Sequence, residues 1–226
     1  SLTNIELPDG LTSIGGSAFY NCSSLTNIEL PSGVTEIGSS AFAYCHNLTG
    51  IQLPDGLTSI AGYTFRNCNS LEDIELPSRL TEIGNGAFQE CSSLSSIEIP
   101  IGVTNIGELA FEKCSSLKSI DLPDGITKIP FGMFWGCNDL ASIKIPDGLT
   151  SIGAYAFEYC SSLTDIELPD GLTNIGSATF WASGLTSITI PATVTDIGDS
   201  VFSECDRLTN ISVDEANANY SSLDGV

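Results

Sequence analysis

Eight cysteines, a single histidine, a column of carboxylates and a few non-repeating aromatics are the residues here whose types and spacing could do chemistry. Cys22, Cys45, Cys68, Cys91, Cys114, Cys137 and Cys160 recur every 23 residues. No Cys-x-x-Cys pair occurs and His46 is the only imidazole, so the ligand spacing of a zinc site is lacking. Nucleophilic catalysis fares no better, because His46 is the sole base available to activate any of the many repeat-position serines. One cysteine per period reads as an inward ladder of thiols, each a small buried hydrophobe. The alternative is that adjacent pairs oxidise in a secreted setting. Neighbouring units ~5 Å apart lie within disulfide range, but parallel Cβ vectors bridge poorly. No catalytic residue, cofactor or metal ligand set is expected.

The carboxylates carry a sharper signal. Glu6, Glu29, Gln52, Glu75, Glu98, Asp121, Lys144 and Glu167 share one outward position in successive units. Asp9, Asp55, Asp124, Asp147 and Asp170 follow one step past a proline and extend the strip. Two unit charges ~5 Å apart repel by about 0.8 kcal/mol in water before screening. One reading is a solvated face that keeps the protein soluble. The other makes Glu6, Glu29, Glu75, Glu98, Asp121 and Glu167 a seat for a basic partner or divalent cations, although no calcium loop of recognised spacing appears. Hydrolysis through these carboxylates is not expected, since nothing pairs a shielded acid with an exposed base.

Individual recognition needs residues that differ from unit to unit, and the stretch Ile129-Pro130-Phe131-Gly132-Met133-Phe134-Trp135 departs most from the pattern. Trp135 and Trp181 share a register two units apart, and Phe131, Tyr155 and Tyr159 fall at nearby outward positions. The five form a candidate binding patch, because exposed aromatic clusters mark interaction sites. The competing reading is that they cover the core around Pro130 and around the eighth unit, Leu163 to Gly184, which is one residue short. Four N-glycosylation tripeptides, at Asn21, Asn47, Asn210 and Asn219, are nearly unavoidable in so Asn- and Ser-rich a repeat.

The elements that must position these residues follow from the repeat, Leu-x-x-Ile-x-Leu-Pro-x-Gly-Leu-Thr-x-Ile-Gly-x-x-Ala-Phe-x-x-Cys-x-x. The run Leu-x-x-Ile-x-Leu alternates apolar and polar, as a short half-buried strand does. Stacking units pairs each strand with its copy, giving a parallel sheet lined inside by Ile5, Ile28, Ile51 and Ile74. Proline then ends the ladder at the same point in each coil. Gly15, Gly38, Gly84, Gly107, Gly153, Gly176 and Gly198 are expected to supply backbone conformations closed to other residues, ahead of a short Ala-Phe helical turn. Phe19, Phe42, Phe65 and their successors to Phe202 predict a buried aromatic spine. The fold class is therefore a β-rich α/β leucine-rich-repeat solenoid, with the sheet on the concave side and short helical turns or irregular segments on the convex side.

The unit Leu2 to Ser24, with Leu-Pro after the strand, Ala-Phe-x-x-Cys on the return and no asparagine ladder, resembles the BspA-like, or treponemal, class of leucine-rich repeats. The tail from Asn219 to Val226 is similar to the segment with which that class leaves one array for the next. The resemblance implies a secreted or surface-bound bacterial or protist protein engaged in adhesion. The chain 1–226 is expected to be one solenoid of about ten units, truncated at both ends, with 214–226 beginning a linker or terminal segment. Net charge of −21, from 28 acidic and 7 basic residues, speaks against nucleic acid and anionic membranes. Neither a membrane span nor a leader is visible. The expectation is a non-catalytic module binding a protein or glycan, host-derived ones included; the alternative is a spacer presenting another domain.

Overall fold

The computed structural model describes residues 2–222, which wind as a parallel β-solenoid. Among them, nine coils each give a two-residue strand at the Thr-x-Ile step, from Ser13–Ile14 and Glu36–Ile37 through to Asn174–Ile175 and Asp196–Ile197. Ser13 stands opposite Glu36 and Ile14 opposite Ile37 in parallel register. The isoleucine is buried at nearly every turn and its polar partner lies outside. Asn174 pairs with Asp196, so the offset drops by one where the short eighth unit intervenes.

That ladder lies outside the Leu-x-x-Ile-x-Leu run expected to form the strand. The Leu-x-x-Ile-x-Leu run pairs as a ladder only between Ser119–Asp121 and Ser142–Lys144, and between Ser187–Ile190 and Asn210–Val213. Elsewhere at most a single backbone bond near its start joins neighbouring coils, such as Ser95 N–H to Glu72 C=O at 3.1 Å. Where the ladder closes, outward neighbours do not repel: Asp121 faces Lys144 and Thr189 faces Ser212. Charge is not the whole cause, since Lys144 and Glu167 have opposite signs and their coils stay open there.

No helix occurs among the described residues, and the side bearing the Phe residues is a succession of turns. Ala18 N–H bonds Gly15 C=O, Tyr20 N–H bonds Ser17 C=O and Cys22 N–H bonds Phe19 C=O, each spanning three residues. Between them Ser17, Phe19 and Asn21 donate to Ser39, Ala41 and Ala43 of the next coil. This alternation needs a left-handed residue two before and two after each Phe, and Ser17 and Asn21 both have φ of 58°. Later coils use Tyr63, Leu109, Tyr155 and Tyr159 at those points, at roughly 1–2 kcal/mol each. The bonds to the next coil hold the strained residue in place.

The glycines after the Ile have a different role from the one expected. None of Gly15, Gly38, Gly84, Gly107, Gly153, Gly176 and Gly198 has a positive φ. A Cβ on Gly38 would stand 2.5 Å from Gly16 N, and one on Gly84 would stand 2.6 Å from Gly62 N. Close approach of successive coils, rather than a left-handed turn, makes a side chain costly there, and the coils carrying Ala61 and Pro130 have to accommodate one. In the first coil Gly15 has nothing within 4 Å of such an atom.

Inside, the Phe rings stack from Phe19 to Phe202 at centroid distances of 5.2–5.9 Å and interplanar angles of 3–15°. Each of the buried cysteines adds a bond across coils. Cys114 Sγ donates to Phe88 C=O at 3.2 Å, and Cys45, Cys68, Cys91, Cys137 and Cys160 repeat that contact at 3.1–3.2 Å. All eight cysteines are free thiols. At the far edge Asn217 Nδ2 donates to Pro191 C=O and Val194 C=O, and the Tyr220 hydroxyl accepts from Ile197 N–H at 3.2 Å. Through these bonds the segment 214–220 folds back on the last coil. Leu223 to Val226, the rest of the tail motif, lie outside the described residues.

Candidate lateral binding face

Immediately after each ladder Phe comes a row formed by Tyr20, Ala43, Arg66, Gln89, Glu112, Trp135, Glu158, Trp181 and Ser203, one per coil. The two left-handed residues of each coil flank it. Because Phe134, Phe157 and Phe180 are spaced at 5.5 Å, adjacent members of the row sit one coil rise apart. One such pair is bonded directly, the Gln89 amide donating to the Glu112 carboxylate of the next coil. Gln89, Glu112 and Glu158 are buried despite their polarity, whereas Trp135 and Trp181 are half-buried.

The candidate aromatics lie on and beside this row. Phe131 and Tyr159 are 39% and 47% exposed, and Tyr155 is half-buried. Tyr155 joins two of the others, edge-on to Phe131 at 5.3 Å and tilted against Trp135 at 6.4 Å. Trp181 connects through the backbone, its carbonyl accepting from Tyr159 N–H at 2.9 Å. Pro130 in place of the usual glycine precedes Gly132 and Gly136, which take the left-handed positions at φ 58° and 73°. With no side chain at Gly136, a cavity of about 480 Å³ opens between Lys113 and Tyr159, beside Trp135 and Glu90. Asn69, Ser92, Ser115 and Asn138 form its polar wall. Their side chains are partly engaged already, for example Asn138 Nδ2 to Tyr159 C=O at 3.1 Å.

The acidic column is divided. Glu75 and Glu98 line a shallow cavity of about 730 Å³ with Gln52 and Asp73, where the coils stay unpaired. Glu6 and Glu29 line another of about 480 Å³ with Asp9. Asp121 belongs to the closed ladder opposite Lys144, and Glu167 is exposed outside either cavity. Among the described residues no three of His, Cys, Asp and Glu converge on a point that could hold a metal.

Sequence reasoning missed two features of this side. Tyr20, Tyr44, Tyr63 and Arg66 make a second exposed aromatic group, with the Arg66 guanidinium 5.6 Å from the Tyr44 ring and 5.8 Å from the Tyr63 ring. Glu158 is only 7% exposed, its Oε2 has no hydrogen-bond partner, and burial raises its carboxyl above the ordinary range. Its register between Trp135 and Trp181 could be read from the repeat spacing, but its burial could not.

Stacked turns, a parallel ladder and a repeated Leu, Ile and Phe core define the chain as a leucine-rich-repeat solenoid. It belongs to the BspA type leucine-rich repeat family, whose repeat region matches it in 6 copies over residues 1–118, 35–152 and 127–222. Proteins of this class are generally non-catalytic interaction scaffolds. A leucine-rich repeat protein from Bacteroides ovatus is similar at 34% identity and a TM-score of 0.86, over 93% of this chain. The chain spans 63% of that protein's length. The Treponema pallidum leucine-rich repeat protein is 37% identical over 72% of this chain and 78% of its own, with a TM-score of 0.68. One from Eubacterium ventriosum is 26% identical over 94% of this chain and 60% of its own, with a TM-score of 0.63. No curated protein matches. Among the described residues no helix is long and apolar enough to cross a membrane.

Proposed function

We propose that this chain is a non-catalytic adhesion module, displayed outside the cell, that binds a protein or glycan ligand through its lateral aromatic face. The observation that carries the reading is the contact of Tyr155 with Phe131 and Trp135 next to the Gly136 cavity lined by Trp135 and Tyr159, in the stretch that departs most from the repeat. A half-buried indole beside a polar-walled groove offers the large contact area that dominates binding hot spots. Placement outside the cell rests on the resemblance of the repeat to its class. The array 1–226 acts in this reading as a single unit, and the acidic column steers basic ligands rather than anchoring them.

The test uses beads coated with the protein on a surface of immobilised mucin, a mixed protein and glycan target. Wild-type beads are expected to adhere and beads carrying Trp135→Ala with Trp181→Ala to detach, with far-UV circular dichroism unchanged between the two proteins. The spacer reading predicts that wild-type beads do not adhere at all.

A further inference from the structure

Within one row the protein contains two buried carboxylates, and it neutralises only one of them. Glu112 is 4% exposed; its Oε1 lies 3.4 Å from Lys113 Nζ and its carboxylate also accepts from Gln89. The same ammonium lies 5.8 Å from the centroid of the Trp135 ring. A buried carboxylate, an indole face and a cation between them thus form one assembled unit, in which charge pairing and the ring quadrupole act on the same ammonium.

Two coils on, the arrangement repeats without its cation. Glu158 takes the place of Glu112, and Trp181 follows it in the row as Trp135 follows Glu112. The residue equivalent to Lys113 is Tyr159, whose side chain carries no charge to offer. Glu158 is flanked by Tyr155 and Tyr159 in its own coil and by Trp135 and Trp181 in the neighbouring ones. Its Oε2 is buried without a partner. An unpaired buried carboxylate is destabilising unless a cation or proton arrives. The other unpartnered atoms of the row, Arg66 Nε and Gln89 Oε1, belong to a half-buried guanidinium packed on the Tyr44 and Tyr63 rings and to an amide that already donates to Glu112.

We propose that Glu158, framed by Trp135, Trp181, Tyr155 and Tyr159, receives an alkylammonium group supplied by a lysine side chain of a protein partner. The ligand's ammonium then does at Glu158 what Lys113 does at Glu112. A lysine-bearing partner also suits a chain whose formal net charge is −21. This site lies within the lateral face and rests on that reading of it.

The protein carries two tryptophans, so indole ¹⁵N labelling reports both flanks of Glu158 directly. Titration with n-butylammonium chloride at pH 7.5 and constant ionic strength is expected to move both N–H signals saturably, while butanol at the same concentrations leaves them in place. Glu158→Gln should weaken the response about ten-fold or more, with near-UV circular dichroism unchanged. Tyr159→Lys, which installs the ammonium found at Lys113, should abolish it and raise the urea midpoint; it stands as the decisive variant if Glu158→Gln fails to fold. N-acetyl-lysine methylamide should match butylammonium. Tighter binding of tetramethylammonium than of either would overturn the lysine assignment in favour of a free quaternary amine. Butanol shifts equal to those of butylammonium, or an unchanged response in the folded Glu158→Gln and Tyr159→Lys proteins, overturn the proposal. Mucin adhesion that depends on the tryptophans without an ammonium response would remove this site and leave the lateral face intact; the reverse pattern would do the opposite.

Discussion

Raising the pH should unfold this protein through its thiol ladder. Burial, reinforced by the neighbouring Cys22 thiol and only partly opposed by the Cys22 backbone N–H, pushes the Cys45 thiol up to about 12. It lifts Cys68, Cys91, Cys114, Cys137 and Cys160 well above the usual thiol range. In the unfolded chain each thiol ionises near pH 8.5. Between that value and the raised native one, the unfolded state has released a proton that the native state keeps. Stability is therefore fully present below about pH 8.5 and falls as the pH rises, by about 1.4 kcal/mol per pH unit for each thiol. Together the six would lose about 8 kcal/mol per unit, against a total stability of about 5–15 kcal/mol for ordinary domains. The slope needs only that the native thiols stay neutral, so it does not depend on how far each is raised. Urea unfolding between pH 7 and 10 under a phosphine reductant should show little change up to about pH 8, then a steep fall, with unfolding near pH 10. Cys114→Ala should lower stability at neutral pH and reduce the alkaline slope by about one-sixth. A protein equally stable at pH 7.5 and 10, or a slope indifferent to the loss of Cys114, would refute the reasoning.

Phe111→Ala removes a fully buried ring from the middle of the stack and should cost about 3–5 kcal/mol by urea denaturation, more than the loss of any surface aromatic. Ala182 has φ of 52° and should be stabilised by about 1 kcal/mol on replacement by Gly, whereas Ala43→Gly should destabilise by a similar amount; the two urea midpoints moving in the same direction would count against the turn geometry. Gly84→Ala should destabilise by about 1–3 kcal/mol because its Cβ meets Gly62 N at 2.6 Å, while Gly15→Ala should be nearly neutral, and equal melting shifts for both would contradict the close-approach account.

The sequence made the coil, its period and its core legible, because one residue per unit at a fixed register can be satisfied only by a ladder. The Phe spine and the inward isoleucines follow from that argument alone. The open and closed stretches of the Leu-x-x-Ile-x-Leu ladder were not legible, since their pattern is nearly the same in every unit while pairing varies. The glycine positions were visible but not their cause. A residue needed for space and one needed for φ look the same in a sequence, and the left-handed points turned out to be Ser17, Asn21, Tyr63 and Leu109. Trp135 and Trp181 stood out because they break the repeat. Glu158 between them did not, because a glutamate on a turn reads as solvated surface until its burial is seen.

In the function proposed above, individual recognition resides on the lateral aromatic face and not on the acidic column. The most direct measurement compares three proteins on one printed array of glycans and lysine-containing peptides at physiological ionic strength: wild type, Trp135→Ala with Trp181→Ala, and Glu75→Gln with Glu98→Gln. The account predicts that spots bound by the wild type go dark with the tryptophan variant and persist, with some weakening of the basic peptides, with the glutamate variant. Binding that survives loss of both tryptophans and disappears with Glu75 and Glu98 would contradict it and place recognition on the column.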